Sequence, residues 1–283
     1  MTTHSSLASV RATRERLTEL GLSTKKSLGQ HFLIDDGVVG KILRYAALPP
    51  GSSVLEVGSG IGTLTEALLS QQIKLTAVEL DEALHAGLAK NYPSVRLISG
   101  DALAPETISC LHELAPAYLV ANLPYAVAAT IILEYFQVLP SLEAATVMVQ
   151  REVAERITAQ PPGKAYGAYT VKLGLLTRVI NQFKVSPQSF YPPPRVDSTV
   201  LRLERRRAYE EPVARASMLA DAAFFLRRKT IRNSMQAYFT EHGLDENVVD
   251  FLLSAARIDR SCRGETLTAS DFLTLARVQV GSG

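Results

Sequence analysis

The residues Asn122-Leu-Pro-Tyr125, which take in Leu123 and Pro124, combine an amide, a proline-stiffened turn and an aromatic face. That set suits an exocyclic amine on a planar base. The amine nitrogen of such a base is a poor nucleophile because its lone pair is delocalised into the ring. Two acceptors, the Asn122 side-chain oxygen and a backbone carbonyl of the turn, hold its two hydrogens and aim the lone pair at an electrophilic methyl carbon. Such a reaction depends on positioning and electrostatic alignment more than on a strong base. Tyr125 adds a face on which an unstacked base rests.

Residues upstream fit a nucleoside cofactor. Val54-Leu-Glu-Val-Gly58-Ser-Gly60-Ile-Gly62-Thr reads as a strand, a glycine turn and a helix start. Glycines let the backbone turn sharply and approach a ligand closely. The third glycine falls at position 62, and Thr63 stands where a dinucleotide fingerprint has its last glycine. Glu56 lies inside the strand end, where a carboxylate opposes a pyrophosphate and suits a cationic or amino-bearing ligand. A nicotinamide dehydrogenase is therefore poorly supported. Glu79 ends the second strand, 21 residues after Gly58, where an acid accepts ribose hydroxyls. Asp101 follows Gly100 at the third strand end, in place to accept an adenine amino group, and Asn122 ends the fourth. Each alone fits a strand-end or helix-capping residue. Together they converge on the crevice where open α/β sheets bind ligands.

The elements that must position these residues are legible as apolar runs at Val54–Val57, Leu75–Val78, Val95–Ile98, Tyr118–Ala121 and Ala144–Val149, with one amphipathic stretch between each pair. Continuous apolar strands separated by single helices indicate a parallel sheet covered on both faces. Runs at Val179–Val185 and Ser198–Leu203 suggest an antiparallel edge. Residues 5–20 suggest a short helix, and Asp35 and Asp36 cap another. After Arg207 only helical spacing appears, at 212–226, 230–241, 244–256 and 269–278. The expected architecture is thus an α/β domain over residues 1–207 and a small all-α domain over 208–283.

Charge divides along the same lines. Five basic residues face twelve acidic ones between Phe32 and Gln150, whereas sixteen face seven between Arg151 and Arg232. A basic section beside an acidic one suggests a polyanionic partner, although charged faces are usually only solvated. Arg205-Arg206-Arg207 and Arg227, Arg228, Lys229 and Arg232 are the candidate phosphate ligands, with no acid between Arg227 and Arg232. Cys110 and Cys262 stand apart without ligand spacing, which favours two buried thiols over a disulfide or a metal site. The start shows no secretory pattern, and no apolar run approaches a membrane span. A cytoplasmic chain with no membrane contact is expected.

Taken together, these motifs resemble the ribosomal RNA adenine N6-dimethyltransferase family along almost the whole chain. Ser27-Leu-Gly-Gln-His-Phe-Leu33, Glu56 to Thr65, Val78-Glu-Leu-Asp81, Gly100-Asp-Ala102, Asn122 to Tyr125 and Ser189 to Ser198 are each similar to a family motif. Arg227-Arg-Lys-Thr-Ile-Arg-Asn233 resembles the branch that dimethylates two adjacent adenines near the 3′ end of small-subunit ribosomal RNA. The resemblance implies a class I methyltransferase using S-adenosylmethionine, with S-adenosylhomocysteine as product and no metal. It also implies that the first domain is Rossmann-like and that its first 34 residues form a helix and closing segment. It places His31 and Leu33 over the cofactor, Gly58 at its amino-acid portion, Glu79 at the ribose, Asp101 at the adenine and Asn122 at both cofactor and amine. Tyr125 and Phe190 would sandwich the target base. On spacing alone Phe190 fits a stiff edge loop, and only the resemblance makes it a site residue. Position 31 is His where the family commonly has Asn, and Ala126-Val-Ala-Ala129 replaces a more polar run. The expected partner is a pre-ribosomal particle of the 30S type, met by a monomer. The rivals are a methyltransferase for large-subunit RNA or DNA adenine, and an assembly factor that needs no catalysis.

Overall fold

The computed structural model describes residues 3–22, 31–206 and 212–279. Arg207 and positions 27–30 of the N-terminal motif lie outside the described residues. The chain forms two compact units, Met1–Ala154 with Val179–Arg205, and Glu155–Arg178 with Arg206–Gly283. The sequence suggested one boundary near residue 208. In the structure the chain also passes into the helical unit over 155–178 and returns.

The first unit is built on a seven-stranded sheet. Its strands are β2 (Ser53–Val57), β3 (Lys74–Glu79), β4 (Arg96–Ser99), β5 (Tyr118–Asn122), β6 (Ala144–Gln150), β7 (Thr177–Val185) and β9 (Ser198–Arg205), in the order β4-β3-β2-β5-β6-β9-β7. The pairs β2–β3, β3–β4, β2–β5 and β5–β6 are parallel, and β9 lies antiparallel to β6. Val54, Leu55, Val120 and Ala121 are almost fully buried, as expected for strands covered on both faces. Helices α2 (Asp36–Ala46), α3 (Thr63–Leu69), α4 (Glu82–Asn91), α5 (Pro105–Leu114) and α6 (Ala128–Val138) connect or flank the strands. The chain runs outward from β2 to β4 and then returns to β5 on the other side of β2. That reversal opens a crevice at the carboxyl ends of β2 and β5.

Two small features close the N-terminal side. Helix α1 (Val10–Glu19) is capped by Ser9, whose side chain accepts from the Ala12 N–H. Strand β1 (Phe32–Leu33) pairs antiparallel with β8 (Phe190–Tyr191), setting Leu33 opposite Phe190. Asp35 caps α2 by accepting the Val38 N–H, which fixes the chain just after β1.

The second unit contains α8 (Ala168–Leu176), α9 (Val213–Phe224), α10 (Ile231–Glu241), α11 (Val248–Ala255) and α12 (Ala269–Arg277), and takes in the end of α7 (Arg151–Thr158). Leu219, Ile231, Met235, Leu252 and Phe272 form its core. Cys110 and Cys262 are free thiols. Each is partly exposed, not buried as expected, because Cys110 sits on the flank of α5 and Cys262 in the loop after α11. Among the described residues, no helix is long and apolar enough to cross a membrane.

Candidate active site

The glycine turn and the tetrapeptide meet at the crevice. Gly58 leaves β2 with φ +71°, a left-handed conformation that side chains disfavour. A Cβ there would stand 3.3 Å from the Pro124 ring, a tight contact that adds to the backbone strain any side chain would bring. The Gly58 N–H donates to the Val78 carbonyl at 2.9 Å. The Glu79 carboxylate accepts the Gly60 N–H at 2.8 Å and the Asp81 N–H at 3.0 Å. One carboxylate thus ties the glycine turn of β2 to the end of β3. Its burial raises its pKa, and the backbone N–H donors pull it back.

These residues wall a cavity of about 580 Å³, which His31, Leu33, Gly58, Glu79, Asn122 and Tyr125 help to line. The size is that of a drug-sized or nucleoside ligand site. The Asn122 amide donates to the His31 carbonyl at 3.2 Å. This anchors the N-terminal segment and leaves the amide oxygen as an acceptor. Leu123 is buried and donates its N–H to the Met148 carbonyl, fixing the turn to β6. The Pro124 carbonyl accepts the Val127 N–H. Tyr125 is held at its hydroxyl by Ser198 at 2.7 Å. Its ring stacks on His31, with centroids 5.6 Å apart and planes at 29°.

Two expected site residues lie elsewhere. Phe190 is 2% exposed in the apolar core with Leu33, Val39 and Val200 and is not a wall of the cavity. Pairing of β8 with β1 turns it inward, and His31 is the ring beside Tyr125 instead. Asp101 is exposed and accepts the Leu103 N–H at 2.9 Å. It caps the turn after β4 and likewise does not line the cavity.

One further wall residue was marked in the sequence only by its place after the third glycine. Thr63 is 5% exposed, lines the cavity, and its hydroxyl has no hydrogen-bond partner. An orphaned buried hydroxyl is costly unless something else meets it. With the bare glycine turn, the free amide acceptor and the buried acids, it fits a nucleoside that carries a polar amino-acid tail. Among the described residues no cluster could hold a metal ion.

Glu56 is 2% exposed, lines the cavity and accepts the Thr65 hydroxyl at 2.6 Å. Burial pushes its carboxyl up to about 7, against the pull of the Thr65 hydroxyl. The unfolded chain releases this proton near its ordinary value of 4.5, whereas the ligand-free fold retains it until about 7. Stability is therefore lost as pH rises through that window, by about 3 kcal/mol in all. Glu56→Gln should flatten this loss, so urea unfolding at pH 5 and pH 8 should give closer values in the variant than in the wild type. An equal pH dependence in both proteins would mean that Glu56 titrates normally.

The arginines divide by environment. Arg205 donates to the carbonyls of Leu142, Phe136 and Leu139, two of them at the end of α6, where a cation satisfies unpaired carbonyls. It is thus an internal clamp and not the phosphate ligand expected. Arg206 meets the carbonyls of Gly174 and Thr177 in the same way at the end of α8. Arg227 donates to the carbonyls of Gly163 and Lys164. Arg232 makes a two-pronged pair with Asp250 at 2.7 and 2.8 Å. Arg228 and Lys229 are exposed, and among the described residues no side-chain hydrogen bond or ion pair engages either.

With this geometry in place, the chain can be set beside known proteins. Residues 21–275 match the family model for ribosomal RNA adenine dimethylase. The chain is 40% identical over 273 residues to a ribosomal RNA small subunit methyltransferase A of Thermobifida fusca, with 93% of each chain covered. It is 36% identical to a protein of the same name from Staphylococcus epidermidis, covering 95% of this chain and 94% of that one. Among solved structures, a dimethyladenosine transferase from Plasmodium falciparum superposes with a TM-score of 0.71 at 24% identity, covering 87% of this chain and 96% of that one. The 23S rRNA methyltransferase ErmE superposes with a TM-score of 0.62 at 24% identity, covering 86% and 97%. The last two likenesses concern the fold.

Proposed function

The chain belongs to the ribosomal RNA adenine dimethylase family, and from that premise we propose that it transfers methyl groups to N6 of two adjacent adenines near the 3′ end of small-subunit ribosomal RNA. The observation that carries the reading is the Asn122 amide. One of its N–H groups donates to the His31 carbonyl, which leaves its oxygen as an acceptor for the amine, and Asn122 lines the same cavity as Glu79.

When bound, S-adenosylmethionine supplies an electrophilic methyl group on a sulfonium. The chain's own residues do the rest. Glu79 accepts the ribose hydroxyls, Gly58 and the Thr63 hydroxyl meet the amino-acid portion, and His31 and Leu33 close the site from the N-terminal side. Asn122 Oδ1 and the Leu123 carbonyl take the two hydrogens of the target amine. The Pro124 carbonyl is the weaker candidate for the second acceptor because it already receives the Val127 N–H. Tyr125 presents the face on which the flipped base stacks, and His31 must shift to admit it. Phe190 supports Leu33 from the core beneath. The proton leaves to water after transfer, since no strong base is needed.

The RNA is held by cations on the helical unit. Removing Arg228 and Lys229 together should lower the slope of log affinity against log salt by roughly 0.7–0.9 for each phosphate they had neutralised. A filter-binding series across salt concentrations reads this, and an unaltered slope would leave both as solvated charges. We place the enzyme in the cytoplasm as a monomer acting on pre-ribosomal particles.

The decisive experiment is incubation with labelled methyl donor and unmethylated small subunits, followed by mapping of modified adenines. Label in two neighbouring adenines near the 3′ end is expected. Label in other nucleotides, or none at all, would overturn the reading, as would label appearing only when unmethylated large subunits are offered in a parallel reaction.

A further inference from the structure

The turn between α9 and α10 carries features that methyl transfer does not use. Phe225 and Leu226, 38% and 39% exposed, immediately precede Arg227, Arg228 and Lys229. The Phe225 ring stands at 80° to Tyr238, with centroids 5.7 Å apart, and at 81° to His242, at 6.3 Å. Tyr238 and His242 lie face to face at 3.9 Å and 19°, and the His242 Nδ1 meets the Tyr238 carbonyl at 2.8 Å. Three rings thus form a preorganised corner at the end of α10.

Packing accounts for only part of this corner. Tyr238 touches the apolar core of the unit, whereas Phe225 leaves 38% of its surface open and His242 is exposed. The charges beside Phe225 are informative. Arg227 and Arg232 are committed within the fold, whereas Arg228 and Lys229, three and four residues from Phe225, are uncommitted. Aromatic faces next to free cations are the combination that binds unpaired nucleotides, the rings taking bases and the cations phosphates. A protein partner would favour an apolar patch with lysine excluded from its centre. Glu241, Asp245 and Glu246 lie near His242 in sequence, so the phosphates belong on the Arg228 side of the corner.

We propose that Phe225, Tyr238 and His242, with Arg228 and Lys229, form a second nucleotide site, where an unpaired base of the RNA substrate stacks on the rings outside the catalytic pocket. This rests on the reading of the protein as an RNA methyltransferase. The site secures the particle while the target adenine is drawn into the pocket.

The test measures binding of the full chain to unmethylated small subunits over a range of salt. Loss of one stacked base is expected to weaken binding by roughly 5- to 150-fold. Phe225→Ala and His242→Ala should each show a loss in that range with the salt slope unchanged, because stacking releases no counterions. Removing Arg228 should instead change the slope. Phe225→Leu keeps the apolar bulk without the aromatic face, and should behave like Phe225→Ala. Unchanged helical circular dichroism and an unchanged thermal unfolding profile would show that the helical unit of each variant is folded. Phe225→Ala binding within twofold of the wild type would overturn the proposal. So would full affinity in Phe225→Leu, which would mark an apolar contact with a ribosomal protein. Failure of the wild type to bind subunits at all would instead bring down the proposed function itself.

Discussion

Replacing Asn122 with alanine is expected to slow methyl transfer in single turnovers by about 10²–10³-fold, the size of effect seen when one preorganised alignment group is removed. The reason is geometric. One amide N–H donates to the His31 carbonyl at 3.2 Å, which favours the rotamer that keeps the oxygen as acceptor for the incoming amine. Alanine removes that acceptor. Asn122→Asp separates the two duties of the amide. It retains an acceptor for the amine but sets a carboxylate against the His31 carbonyl, so its rate should fall between the two proteins. Affinity for the RNA should change little if, as proposed, Arg228 and Lys229 supply most of it. A single-turnover rate within threefold of the wild type for Asn122→Ala would remove the amide from the mechanism.

What the sequence revealed follows from where the signal resides. The parallel strands were legible because burial on both faces leaves unbroken apolar runs, and the observed strands match those runs to within a few residues. The glycine turn and Glu79 were legible because backbone reversal and strand ends restrict residue type. The β1–β8 pair was not, since two residues carry no period, and it is this pair that turns Phe190 into the core. The basic residues show a different limit. Arg205 and Arg206 read as a patch, but carbonyls at helix ends claim them, and one-dimensional charge cannot tell a solvated guanidinium from one that caps a helix. Thr63 shows the converse. A single hydroxyl after a glycine turn means nothing until its surroundings prove to lack a partner.

The second large effect concerns Glu79, whose removal should weaken S-adenosylhomocysteine binding by roughly 10²–10³-fold, if two charge-assisted hydrogen bonds to the ribose contribute about 1.5–3 kcal/mol each and are not fully additive. Glutamine should rescue little. Both carboxylate oxygens already accept backbone N–H groups, from Gly60 and Asp81, and an amide would force one of them to face an NH2. A drop in affinity alone would not separate ribose recognition from a loosened glycine turn, because the same carboxylate serves both. Calorimetry with two ligands does. In the wild type, 5′-methylthioadenosine should bind far more tightly than its analogue lacking both ribose hydroxyls, whereas in Glu79→Ala the two should bind almost alike. If stripping the hydroxyls is equally costly in both proteins, Glu79 shapes the turn and leaves the ribose to another group. If the difference collapses, one carboxylate both builds the cofactor loop and reads the cofactor.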